Sequence, residues 1–151
     1  MLRILCETGY LCRMTIVTCA IIEKDGLVLC AQRSETMHLP LKWEFPGGKV
    51  AGSESPEDCL RREISEELGL GVEIIARLPS NRHSYPDCSP FELVPFRCRI
   101  KEGLPVAKEH RQIKWVRVPD LRSLDWAGAD IPVLENYLRN FPGEFRHHPG
   151  K

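Results

Sequence analysis

The sequence predicts an α/β fold in which a mixed β-sheet lies between two main helices, one on each face. Apolar segments of strand length recur from residue 15 to residue 118. The turn signal Lys24-Asp25-Gly26 joins the first two of these segments as a hairpin, so the sheet cannot be purely parallel. Helical patterns occupy 56–68 and 130–141. Together these observations favour an α/β/α sandwich.

The strands that precede the first helix follow from composition. Residues 15–22 are β-branched and apolar, which predicts a buried strand, and Leu27–Gln32 is its expected hairpin partner. A polar loop follows over 33–42. A short extended segment is expected over 44–46, ended by Gly47-Gly48 and a loop.

The first helix carries strong boundary signals. Ser55 can cap its N-terminus, and Pro56 suits the first helical position. The next two residues are acidic, which favours the positive end of the helix dipole. The helix is expected to run to Leu68, because Gly69 is a good terminator.

The second half of the chain alternates strands and loops before the last helix. Strands are expected over 72–78, 94–100 and 113–118, and a loop over 79–90. The middle strand alternates apolar and polar residues, which predicts one buried face. In the helix over 130–141, Asp130 is a candidate cap, and one face is apolar: Val133, Leu134, Tyr137, Leu138 and Phe141.

The length and charge of the chain favour one domain without a general affinity for nucleic acid. The 151 residues suggest a single domain over 14–141, with an N-terminal extension over 1–13 and a C-terminal tail over 142–151. The extension is either dispensable or an extra edge strand. Lys and Arg total 21, as do Asp and Glu, which disfavours duplex binding by a basic surface.

Hydropathy and cysteine usage indicate the compartment. No apolar run approaches the length of a membrane span. The seven cysteines contain no CxxC pair, so neither a disulfide framework nor a zinc site is expected. Cys19, Cys30 and Cys98 lie in apolar strand patterns and are expected to be buried as small hydrophobes. We therefore expect a reducing cytoplasm.

Three acidic residues share one face of the first helix. Glu63, Glu66 and Glu67 are spaced i, i+3 and i+4, and their like charges repel one another. A hard divalent cation, Mg²⁺ or Mn²⁺, would offset that repulsion, because such cations take oxygen ligands. The alternative is a solvated acidic face that pairs with Arg61 and Arg62.

The segment around this helix has a fixed spacing of specified residues. From Gly48 it reads Gly, five residues, Glu54, seven residues, Arg62-Glu63-Ile64, one residue, Glu66-Glu67, one residue, Gly69-Leu70. This matches the 23-residue signature box of the Nudix hydrolases at every specified position. Residues 42–50, Glu109 and residues 129–134 resemble the MutT branch of that family, so the resemblance covers about 14–139.

The resemblance implies a Nudix-type fold and a metal site for phosphate chemistry. The implied metal ligands are Glu63, Glu66, Glu67, Glu109 and the carbonyl of Gly47. Glu54 would be an orienting acid, and Arg62 would hold a box glutamate in a two-pronged pair. The general base would be Glu63, with Glu109 as the second candidate. Water would attack a nucleoside triphosphate and release the monophosphate and pyrophosphate.

Residues outside the box are candidates for substrate contact. Lys49 and Arg33 are expected to meet phosphate, and His38 to meet phosphate or base. Phe45, Tyr85 and Trp126 are candidate stacking faces for a base, with core packing as the alternative for each.

Three residues depart from the MutT pattern. Gln32, Cys88 and Asp130 stand where that branch is expected to have two arginines and a base-reading asparagine. A carboxylate at 130 accepts a hydrogen bond from an exocyclic amine. We therefore expect modified or non-standard nucleotides as substrates, cytosine types ranking first and oxidised guanine second, which suggests nucleotide-pool sanitation. If Asp130 is only a cap, the base is read elsewhere.

The expected partner is a small-molecule nucleotide, with no nucleic acid duplex and no membrane, and the protein is expected to be a monomer or homodimer. Two other functions stay open. One is another Nudix specificity, such as ADP-ribose or a dinucleoside polyphosphate. The other is a non-catalytic nucleotide-binding module, although such modules generally lose box acids and this chain keeps them all.

Overall fold

The computed structural model describes residues 3–5 and 11–141. The predicted tail over 142–151 lies outside the described residues. In the predicted extension, β1 (Arg3–Leu5) pairs antiparallel with β2 (Leu11–Arg13). These two strands form a sheet of their own, separate from the main sheet.

The main sheet is mixed, as predicted, and has eight strands in the part of the chain that the structure describes. Its central order is β10-β4-β3-β9-β7, in which β3 and β9 are parallel and the other neighbours antiparallel. The elements after the N-terminal pair are β3 (Thr15–Lys24), β4 (Leu27–Gln32), β5 (Trp43–Glu44), β6 (Gly47–Lys49), α1 (Pro56–Leu68), β7 (Gly71–Arg77), β8 (Asn81–His83), β9 (Phe91–Glu102), β10 (Gln112–Arg117) and α2 (Ile131–Asn140).

The two helices cover opposite faces of the sheet, which confirms the predicted α/β/α sandwich. On one face Cys19 and Ile21 pack in a core with α2. On the other face Ala20 and Ile22 pack in a core with α1. All four are fully or almost fully buried, because a central strand under two layers has no solvent face. Cys30 and Cys98 are also buried, as predicted.

Strands β5 and β6 lie in the middle of the sheet, where the hairpin strands β3 and β4 diverge. β5 pairs with β4, and β6 pairs with β3. The prediction of a loop from Gly47 onward was therefore wrong. A Cβ on Gly47 would lie 2.0 Å from the carbonyl oxygen of Thr18. Glycine is thus required by close backbone contact within the sheet rather than by a turn.

Helix α1 begins and ends at the predicted residues. The Ser55 hydroxyl accepts a hydrogen bond from the Asp58 N–H at 3.1 Å, and Pro56 is the first helical residue. Gly69 ends the helix in the left-handed conformation, with φ of 67°. Local capping chemistry therefore determines both ends of the helix that carries the acidic face.

Two expectations for the region before β10 were wrong. The loop predicted over 79–90 contains β8, which pairs with β9. The strand predicted to be half-buried is buried on both faces from Leu93 to Cys98. Arg97 in that stretch forms an ion pair with Glu23, with Nε 2.6 Å from Oε1, which satisfies its buried charge.

Helix α2 has the predicted apolar face, with Val133, Leu134 and Tyr137 buried. Asp130 precedes it but is not a side-chain cap: it has helical backbone angles and makes no capping hydrogen bond. The expectation of a cap was therefore wrong, and its carboxylate has another partner, described below. No helix in the described part of the chain is long and apolar enough to cross a membrane.

Candidate active site

A cavity of about 710 Å³ opens between the sheet and the loops that follow β4 and β8. That volume is in the usual range for a small-molecule site. The residues that line the cavity are spread along the sequence from Thr15 to Asp130. Eight of the predicted site residues line it: Arg33, His38, Phe45, Gly47, Lys49, Glu67, Tyr85 and Asp130.

Arg62 connects several acids beside this cavity. Its guanidinium forms the predicted two-pronged pair with Glu54, at 2.6 and 3.1 Å. Its Nη1 also donates to Glu63 at 2.8 Å and to Glu66 at 3.3 Å. The hydrogen bonds from Arg62 lower the pKa of Glu54 to about 2, so Glu54 stays ionised and fixed in place.

Glu63 lies directly over Gly48. A Cβ on Gly48 would be 2.3 Å from the carboxyl carbon of Glu63, so the missing side chain makes room for the carboxylate. The carbonyl of Gly48 is itself oriented, because the buried Thr18 hydroxyl donates to it at 3.1 Å. The glycine pair therefore brings the backbone of β6 and an acid of α1 together at the edge of the cavity.

Glu67 is the buried acid of the set, with 8% of the residue exposed. Its Oε2 atom is buried and has no hydrogen-bond partner among the described residues. Burial, together with the negative charges of Glu44, Glu63 and Glu109, raises the pKa of Glu67 to about 9. A buried carboxylate oxygen of this kind is suited to bind a hard cation.

Glu109 approaches Glu67 because its loop docks on the end of α1. The last carbonyls of the helix accept backbone N–H groups of that loop: Leu68 accepts from Val106 at 2.9 Å, and Glu67 accepts from Lys108 at 3.2 Å. Glu109 is exposed, and its charge contributes to the raised pKa of Glu67. The late acid predicted from the sequence is thus placed beside the helix acids by main-chain contacts.

These residues fit a hard divalent cation, although they do not form a closed shell. Among the residues that the structure describes, no three acidic, histidine or cysteine side chains converge in a ready metal cluster. Arg62 holds oxygens of Glu63 and Glu66 by hydrogen bonds. The orphaned oxygen of Glu67 and an all-oxygen donor set still match what Mg²⁺ or Mn²⁺ prefers.

Asp130 also lines this cavity. Its Oδ1 accepts a hydrogen bond from the backbone N–H of Phe45 at 2.9 Å. Burial and the charge of Glu44 raise its pKa to about 8. Near neutral pH the carboxyl is therefore largely protonated and can donate as well as accept.

The aromatic candidates differ in their access to the cavity. Tyr85 lines it, and its hydroxyl accepts from the Ala129 N–H at 2.9 Å. Phe45 lines it and also packs against Trp126, with ring centroids 4.6 Å apart. Trp126 is not in the wall: it is buried behind Phe45 and donates from Nε1 to the Leu121 carbonyl at 2.7 Å.

The remaining candidates, His38, Arg33 and Lys49, also line the cavity. His38 contacts Tyr85 edge-on, with ring centroids 5.4 Å apart. Arg33 donates to Glu44 at 2.8 Å and to the carbonyl of His38. Lys49 is exposed in the wall of the cavity.

Sequence reasoning missed two polar residues of the wall, Glu44 and His110. Their side chains contact each other, with His110 Nε2 2.9 Å from Glu44 Oε1. The available signal was an acid between two aromatic residues, Trp43 and Phe45, directly before the glycine pair. Local sequence predicts only a short extended segment there, because the partner of Glu44 lies 66 residues later in the chain.

Comparisons with known proteins place this geometry in one family. The NUDIX domain model matches residues 13–137. The CTP pyrophosphohydrolase of Escherichia coli K12 is 33% identical over 126 residues, covering 83% of this chain and 93% of its own length. The 8-oxo-dGTP diphosphatase of the same strain is 27% identical over 127 residues, covering 84% and 98%.

A solved structure shares the fold. The solution structure of the DNA mismatch repair protein MutT, of the Nudix hydrolase family, from methicillin-resistant Staphylococcus aureus 252 superposes with a TM-score of 0.69. It is 40% identical, and the match covers 84% of this chain and 97% of that one.

Proposed function

The chain belongs to the Nudix hydrolase family, and from that premise we propose that it is a divalent-cation-dependent pyrophosphohydrolase of nucleoside triphosphates. In this reaction a nucleoside triphosphate and water give the monophosphate and pyrophosphate. One observation carries the proposal: Glu67, whose buried Oε2 has no hydrogen-bond partner in the described part of the chain, lines the same cavity as Asp130. The same cavity is therefore lined by an acid suited to a cation and phosphates and by a carboxyl group suited to a base.

The chain's own residues supply most of what phosphoryl chemistry needs, which is positioning and charge balance. A bound Mg²⁺ or Mn²⁺ would neutralise the phosphate charge and lower the pKa of water. Its ligands would come from Glu63, Glu66, Glu67 and Glu109 and the Gly47 carbonyl. Arg62 and Glu54 keep the box acids oriented.

The proton of the attacking water would pass to a carboxylate. Glu63 is the first candidate, because Gly48 gives its carboxylate room beside the cavity. Glu109 is the second, because it is exposed close to Glu67. Lys49 and Arg33 would bind the phosphate chain.

For the base we propose Asp130 as the reader, with Tyr85 and Phe45 as stacking faces. Cytosine types remain the first candidates and oxidised guanine the second, as modified or non-standard nucleotides cleared from the nucleotide pool. The relatives named for CTP and for 8-oxo-dGTP support both bases. Because Asp130 titrates near pH 8, the preference is expected to depend on pH.

The compartment is also a proposal. The four cysteines of the core, Cys19, Cys30, Cys59 and Cys98, are buried and free, which suits a reducing cytoplasm.

The test is a panel of normal, methylated and oxidised nucleoside triphosphates scored for pyrophosphate release. We expect release in Mg²⁺ or Mn²⁺ and none in excess EDTA. Glu63→Gln is the matched catalytic control. Full activity in EDTA would refute the metal requirement.

Two other functions have distinct outcomes in the same assay. A hydrolase of ADP-ribose or a dinucleoside polyphosphate would release AMP from those substrates and leave triphosphates intact. A binding module would bind nucleotide calorimetrically without turnover. Because the chain keeps every acid of the signature box, catalysis is favoured over nucleotide binding without turnover.

A further inference from the structure

His110 is almost completely buried beside the cavity, with 2% of its side chain exposed. Its Nε2 lies 2.9 Å from Oε1 of Glu44. A carboxylate accepts, so the imidazole donates from Nε2. Nδ1 is buried and has no partner among the described residues. Among those residues, the imidazole of His110 is therefore held by its hydrogen bond to Glu44.

Glu44 is held on both of its oxygens. His110 contacts Oε1, and Arg33 donates from Nη1 to Oε2 at 2.8 Å. A carboxylate bonded at both oxygens cannot rotate without breaking a charge-assisted hydrogen bond. Because Glu44 is bonded to both side chains, the buried imidazole of His110 orients Glu44, and Glu44 in turn holds the guanidinium of Arg33 at the cavity wall.

Arg33 has a long side chain that would otherwise sample many rotamers. Here its guanidinium contacts Glu44 and the carbonyl of His38, and the residue lines the cavity. Holding the guanidinium in place before the substrate arrives removes part of the entropic cost of binding.

We infer that His110 is a positioning residue for the substrate: it orients Glu44, which holds Arg33 where the guanidinium meets the phosphate chain. This inference rests on the proposed nucleoside triphosphate substrate. Arg33 would contact phosphate in the ground state and the transition state alike, so losing its position raises KM and leaves kcat nearly unchanged.

If His110 only stabilised its loop, its substitution would change the Mg²⁺ requirement. His110 follows Glu109, a predicted metal ligand, in the chain. A substitution that disturbed the loop would displace Glu109 and raise the Mg²⁺ concentration needed for half-maximal activity. The metal requirement therefore separates positioning of Arg33 from disturbance of the metal site.

The experiment compares His110→Phe with His110→Gln. Phe keeps a planar ring without a donor, whereas the Gln amide can still donate to Glu44. We expect Phe to raise KM for the best triphosphate about tenfold, as loss of one charge-assisted hydrogen bond would. The kcat and the Mg²⁺ requirement should stay near wild type, and Gln should restore most of the KM.

Glu44→Gln keeps the test decisive if His110→Phe does not fold. It should raise KM by a similar factor, and adding His110→Phe to it should cause little further change, because both act on one contact. An unchanged KM in His110→Phe, a raised Mg²⁺ requirement, or equal losses in Phe and Gln would overturn the inference. A wild-type protein that releases no pyrophosphate from any triphosphate would instead overturn the proposed function, and the inference with it.

Discussion

The guanidinium of Arg62 and the carboxylate of Glu54 form a two-pronged ion pair across eight residues of sequence, with Nη2 2.6 Å from Oε1 and Nε 3.1 Å from Oε2. Glu54 also accepts the Ala51 N–H at 2.8 Å, so the loop before α1 is fixed to the helix. The same guanidinium reaches Glu63. The orientation of the acidic face therefore depends on one arginine.

Replacing Arg62 by Lys is predicted to lower kcat in Mg²⁺ by about 10- to 100-fold, the usual cost of losing a partner that orients metal ligands. Lys keeps the charge but cannot form the fork. Arg61→Lys is the matched control, because Arg61 is half-exposed and pairs only with Asp58 at 3.2 Å among the described residues. Equal activity of the two variants would contradict the role of the fork.

Glu67→Gln is predicted to abolish most turnover and to stabilise the metal-free fold. With the pKa of Glu67 raised to about 9, folding favours the neutral form. Stability is full below the ordinary pKa and falls as pH rises towards 9. At pH 8 the gain should be about 1–3 kcal/mol in urea unfolding with EDTA, after the cost of a buried amide.

Glu66→Gln is the control for that gain, because 56% of the Glu66 side chain is exposed and its charge is screened. We expect little change in its unfolding midpoint. If Glu66→Gln stabilised the metal-free protein as much as Glu67→Gln, burial would not be the cause.

The ratio of kcat/KM for cytosine-type over uracil-type triphosphates is predicted to rise between about pH 7 and pH 9, an interval of about one unit on each side of the expected midpoint. The pKa of Asp130 is raised to about 8, so its protonated form donates to a carbonyl at low pH. Its ionised form accepts from an amine at high pH. Metal effects cancel in the ratio, and Asp130→Asn should make it flat.

Alanine substitutions at Gly47 and Gly48 are predicted to have different effects, one mainly on stability and the other mainly on turnover. Gly47→Ala places a Cβ 2.0 Å from a backbone oxygen of β3, so it should lower the melting temperature strongly. Gly48→Ala meets the side chain of Glu63 at 2.3 Å, which can move, so it should lose turnover more than stability. Gly128→Ala, with its nearest contact at 3.4 Å, is the control. Identical melting curves for the first two would refute this distinction.

Deletion of residues 1–13 is predicted to leave kcat/KM within about twofold of wild type. β1 and β2 pair with each other and not with the main sheet. The measurement is activity and melting temperature of the truncated chain. A loss of several degrees would show that this pair stabilises the domain.

Features that depend only on neighbouring residues along the chain could be predicted from local sequence. Ser55, Pro56 and Gly69 place both ends of α1, because capping involves residues within one turn. The turn at Asp25-Gly26 has the positive φ angles that its residues favour, and β4 begins directly after it at the predicted residue. The spacing of the acids along α1 is likewise local, so the family resemblance could be recognised from the sequence.

Tertiary structure alone decided the features that join distant parts of the chain. β6 is a strand because β3 lies beside it, and Asp130 bonds to Phe45, 85 residues away, instead of capping its own helix. The contact of Glu44 with His110 also joins residues far apart in the chain, 66 positions from each other. Burial depends on which segments become neighbours, and burial raises the pKa of Asp130, so no local pattern could have predicted its charge.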